Sequence, residues 1–178
     1  KGQVDLARTR ALYTGTDGGY VVVNHVGHKG GIVPGRDVAA VLSRVENALA
    51  AERDGQGRPL VTRFIRRDSA EARGLGIGGP RAGDLYLDLQ PGYLFDAEVG
   101  AAPVVSRVEA GRAGHVFDPR RPDMRAFMLL AGPGVRRGVE LPPVTNADLA
   151  PTVARLLGIP APAHATGTAI KAALADEE

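Results

Sequence analysis

Residues 114–135 read GHVFDPRRPDMRAFMLLAGPGV, and their reading decides the fold. A histidine, His115, stands in a Gly- and Pro-bounded loop, and a continuous apolar run follows at 125–131 before GPG closes it. A short apolar run bounded by turn residues is the pattern of a strand buried on both faces of a largely parallel sheet, so 125–131 is predicted as a central strand. Shortly afterwards residues 145–160 read TNADLAPTVARLLGIP. Asp148 can cap a helix there, Pro151 is tolerated because it falls in the first turn, Val153, Leu156 and Leu157 are expected to supply the buried face, and Gly158 and Pro160 end it.

Working outward, YVVVNHV from Tyr20 is rich in β-branched residues and lies between TDGG and GHKGG, which predicts a strand between turns. Val38, Val41, Leu42, Val45 and Leu49 fall at helical spacing, with Asp37 as a capping residue and DGQG as the stop. Residues 59–67, PLVTRFIRR, predict a half-buried strand beside that helix. Asp68 is placed to cap a single helical turn before the Gly-rich 74–83 segment. In GDLYLDLQPGY, Leu85, Leu87 and Leu89 alternate with Tyr86 and Asp88, the mark of a strand that Pro91 and Gly92 terminate. Residues 94–114 show no sustained period and read as loop. Alternating strands and helices with short connections define an α/β layer arrangement, with room for a small antiparallel part beside a parallel core.

Length and composition bound the function. A chain of 178 residues suits one ordinary domain, and 24% charged against 44% hydrophobic residues excludes disorder. No apolar run approaches the roughly 20 residues that span a bilayer. The absence of Cys removes disulfides, thiolate metal sites and cysteine nucleophiles, and is compatible with either redox compartment. The 22 basic residues are scattered among 20 acidic ones, and aromatics are only 4%, so a stacking, phosphate-tracking nucleic-acid surface is not expected; the arginines read as solvated surface. A start of KGQVDLARTR reads as an internal piece of a longer chain.

The two blocks at 114–135 and 145–160, in this order and spacing, resemble the C-terminal end of the alkaline phosphatase superfamily, in its type I phosphodiesterase/nucleotide pyrophosphatase branch. The family places a His in a G-x-H-G-Y/F-D loop, then P-x-M-x-x-x-F-x-x-x-G-P-G into a strand, then N-x-D-x-x-P into the last core helix. The likeness runs from about Tyr20 to about Gly167, with NHVGHKGGIVPGRD and GPRAGDLYLDLQPGY similar to the family's inserted segment. It implies part of an alkaline-phosphatase-like core sheet with flanking helices plus a small α+β insertion. The implied organisation is a single domain over 1–178, a C-terminal fragment of a larger phosphodiesterase, with about 19–100 insertion-like and about 101–178 belonging to the core.

The resemblance implies a hydrolase that uses two zinc ions, since two cations about 4 Å apart stabilise the attacking and leaving oxygens of an in-line displacement. Its substrate would be a small phosphodiester or nucleotide. His115 matches the family's late metal-binding His, with Gly114 before it and Phe117 and Asp118 after it; Val116 stands where the family usually has Gly. No Asp-x-x-x-His and no Asp-His pair occurs, so the Thr nucleophile and the other ligands would lie upstream, the remainder of the chain would be the fragment's partner, and the fragment alone would be inactive with little or no zinc. Asn24-His25 is the nearest thing to a degenerate metal pair, but a neutral Asn is a weak ligand for such ions. His28 and Lys29 read as a solvated turn, His164 as surface, and the Gly-rich 74–83 segment as a connection matching no phosphate-loop pattern. The alternatives are a non-catalytic α/β binding module, or a fragment of a related phosphomonoesterase or sulfatase.

Overall fold

The computed structural model describes residues 4–14, 19–79, 82–96, 105–107 and 117–175. The chain divides into two compact units, Lys1–Arg125 and Ala126–Glu178.

The first unit is built on a four-stranded antiparallel sheet. Its strands are β1 (Ala11–Tyr13), β2 (Tyr20–Val23), β3 (Val61–Arg66) and β4 (Leu85–Leu89), in the order β1-β2-β4-β3. The registers Ala11↔Val23, Val21↔Leu85 and Phe64↔Leu87 set one row of apolar side chains on a single face. Helix α1 (Val38–Ala51) packs on β2 and β3, burying Val41 and Leu42 while Val38, Val45 and Leu49 pack at the rim. This matches the helical spacing of those residues, although the Asp37 side chain forms no cap hydrogen bond. Leu85, Val23 and Val33 are completely buried in this core. Leu85→Ala is therefore expected to cost about 3–4 kcal/mol, because a cavity adds to the lost transfer energy; urea unfolding would check it.

On the other face of the sheet Arg63 pairs with Asp88 in register, and α2 (Ala70–Gly74) covers β3. The cap of α2 is Ser69, whose Oγ accepts from the Ala72 amide at 3.0 Å; Asp68 lies one residue too early for that role. The short β1 lacks the length for a readable alternation, and sequence reasoning missed it.

In the second unit α3 spans Leu149–Leu156 after a 3-10 turn at Asn146–Asp148. Asp148 accepts from the amide and hydroxyl of Thr145 at 3.0 and 2.9 Å and from the Thr168 amide at 2.9 Å. These bonds, the one from Thr168 foremost, hold its carboxyl below the ordinary value. Gly158, at φ 65°, closes the helix in the left-handed conformation, and the Ile159 amide donates back to the Ala154 carbonyl at 3.0 Å. Two sequence expectations are corrected here. The buried face of α3 is Pro151, Thr152 and Ala154, whereas Val153 and Leu157 are 42% and 66% exposed. Thr152 sits inside because its hydroxyl donates to the Asp148 carbonyl at 2.6 Å and accepts from the Ile170 amide at 2.9 Å. Secondly, 125–131 is not a strand: it has no ladder partner among the described residues, and Phe127 and Leu129 are 95% and 83% exposed.

Helices and an antiparallel sheet thus give mixed α/β character, and the antiparallel part expected from the sequence is present. No described helix is long and apolar enough to cross a membrane.

Candidate functional site

His115, the one residue assigned from the sequence as a metal ligand, lies outside the described residues. The segment that follows it is described from Phe117 onward, and it is fastened to the sheet by charge. The Asp118 carboxylate, only 3% exposed, accepts from Arg63 on β3 and from Arg120 at 2.7 Å. Its own amide donates to Asp88 Oδ1 on β4 at 3.3 Å. Arg63 and Arg120 both reach Glu71 on α2, the second at 2.8 Å. Arg121 donates to the Leu89 carbonyl at 3.0 Å, pairs with Asp123 at 2.6 Å and lies 4.5 Å above the Phe117 ring. The Arg121 guanidinium holds the Asp123 carboxyl below its ordinary value.

Most described arginines are exposed, as the sequence reading expects, but Arg63, Arg66 and Arg121 depart from it. Arg121 is 14% exposed at its side chain, and Arg66 forms a bidentate pair with Glu46 of α1 at 2.8 and 2.6 Å. The available signal was Asp88, a carboxylate on the polar side of an otherwise apolar strand, together with the FDPRRPD run that supplies its cover.

The chemistry open to these groups is limited by their partners. Among the described residues no group of three or more His, Asp or Glu side chains is placed to hold a metal ion. Asp88, Asp118 and Glu71 are each committed to arginines, so the described residues do not by themselves fit a zinc site. Asp54 is similarly structural. Burial pushes its carboxyl up, but bonds from the Arg58 amide and guanidinium, the Gln56 amide and the Tyr93 hydroxyl outweigh that and hold it at about 2. Its folded-state pKa lies below the unfolded one, so its contribution is complete above about 3.8 and is lost as pH falls toward about 2. Asp54→Asn is expected to lower stability at neutral pH and to flatten the acid limb, as read from denaturant midpoints across that range.

The side chains of the Asn24-His25 pair, read from the sequence as the nearest thing to a degenerate metal pair, bond to the local backbone. Asn24 is buried, and its Nδ2 donates to the carbonyls of Leu6 and Thr9 at 2.8 and 3.0 Å, tying the preceding turn to β2. His25 Nδ1 is occupied by the Gly27 amide. His28, Lys29 and His164 are exposed, and Gly76, Gly78 and Gly79 adopt positive φ in an irregular connection after α2.

In the second unit an open apolar groove of about 510 Å³ runs along α3, lined by Leu149, Val153, Leu157, Ile159, Pro160 and Pro162. No protein-family model, no curated protein and no solved structure matches this chain.

Proposed function

We propose that the chain is the C-terminal portion of a metal-dependent phosphodiesterase or nucleotide pyrophosphatase of the alkaline phosphatase superfamily. The observation that carries this reading is the bare apolar surface of the second unit. Phe127 and Leu129, with 95% and 83% of their surface exposed, stand in the segment that the resemblance assigns to a core strand. Leu157 and Ile159, at 66% and 55%, stand on the helix block that the resemblance packs against it. Side chains of this size gain about 1.5–3 kcal/mol each on burial, so large apolar side chains left this far in water mark surface made to be covered. The remaining sheet of a larger core is such a cover.

Zinc belongs to this reading through the resemblance and through His115 alone, and no chemical step is assigned to the described residues. The experiment is hydrolysis of bis(p-nitrophenyl) phosphate by the full-length protein. Activity that needs zinc and disappears with a chelator is expected, while the 178-residue chain alone should show none. A full-length protein that binds zinc yet leaves both phosphodiesters and pyrophosphates intact would favour the non-catalytic module.

A further inference from the structure

One stretch of the chain meets what an endoprotease asks of a substrate. Such an enzyme binds its substrate as an extended strand whose main-chain groups are free to bond to it, and it seats the side chain before the cut bond in a pocket. Among the described residues, 126–131 make no backbone hydrogen bond, so no native bond has to break first. The stretch begins where the first compact unit ends at Arg125, whose backbone is already extended at φ −71° and ψ 130°.

The side chains choose the class of protease. The chain has four Tyr, four Phe and no Trp, and all eight aromatic residues are among the described ones. One lies in each of β1 to β4, where the hydrogen bonds of the sheet hold the backbone. Tyr93, Phe95 and Phe117 pack against the core. Phe127 alone stands clear of the protein, with 95% of its surface exposed. Leu129, next but one, is open in the same stretch. Elsewhere Leu6 and Leu157 are exposed too, but the Leu6 carbonyl accepts from Asn24 Nδ2 at 2.8 Å and the Leu157 amide donates to the Val153 carbonyl at 3.0 Å, so both stand in bonded turns.

We propose that the Phe127–Met128 bond is an endoproteolytic cleavage site for a protease with an apolar pocket that takes an aromatic side chain. Water adds across the peptide bond, leaving a carboxylate on Phe127 and an amine on Met128, and the chain becomes two pieces, 1–127 and 128–178. Every strand of the sheet stays on the first piece and α3 on the second, so the cut divides the chain beside the boundary of its two compact units without entering an element of either. The site is a property of the 178-residue chain and does not rest on the phosphodiesterase reading.

The test is brief digestion of the 178-residue chain with a trace of chymotrypsin, read by mass spectrometry. The first products should be 1–127 and 128–178. The bond should be cut at a rate within about tenfold of that in a synthetic peptide of residues 122–133, because a protected bond waits on an opening of the fold and this one does not. Phe127→Ser should slow the cut by about tenfold or more, since the pocket loses its occupant, and Phe127→Tyr should keep it near the parent rate. A first cut at any other bond, a rate slower than the peptide's by more than that margin, or a Phe127→Ser chain cut at the same bond as fast as the parent, overturns the proposal.

Discussion

His115→Ala in the full-length protein is expected to cut hydrolysis of bis(p-nitrophenyl) phosphate by about a hundredfold or more, without loss of folding. A metal held by a few protein ligands loses affinity and geometry together when one of them goes, whereas a side chain that the sequence reading assigns to a loop is expected to contribute little to the core. His164, exposed in the second unit, is the control: His164→Ala should leave turnover within a small factor of the parent. Zinc content measured beside the rates separates ligand loss from misfolding, since a ligand variant keeps its thermal transition while its metal falls. Equal rates in His115→Ala and the parent would reject the assignment, and with it the strongest residue-level support for the diesterase reading.

Phe127→Ala should behave oppositely in the two contexts. In the 178-residue chain the side chain is 95% exposed, so its removal should change stability by no more than about 0.5 kcal/mol. In the intact protein, if 126–131 is a core strand, the same change opens a cavity and should cost about 3–5 kcal/mol. Denaturant midpoints of the four proteins give the comparison directly. A small effect in both contexts would mean that the rest of the protein does not cover this segment, and the proposed core would fail at its strand. This prediction needs no activity, so it tests the architecture apart from the chemistry.

Local pattern was enough for β2, α1, β3 and β4 of the first unit, though not for the short β1. The spacing of Val38, Val41, Leu42, Val45 and Leu49 is a helix on any backbone that buries one side, and α1 occupies that stretch. The alternation of Leu85, Leu87 and Leu89 with Tyr86 and Asp88 likewise needs only the twofold period of a strand, and β4 follows it. Gly158 closing α3 is a property of a single residue's backbone freedom.

Other features depended on what lies across from a residue. The alternation puts Asp88 on the face opposite the leucines and says nothing of what covers it there; Arg121 and the Asp118 amide do, from a segment 30 residues away in sequence. The buried side of α3 is decided by the Thr152 hydroxyl meeting the Ile170 amide, a pairing no helical period announces. Above all, the apolar run at 126–131 carries the composition of a central strand and is not one in this chain. A helix satisfies its backbone from within, whereas a strand takes its hydrogen bonds from a neighbour, so composition can mark 126–131 as strand-forming while only a partner's backbone can make it a strand.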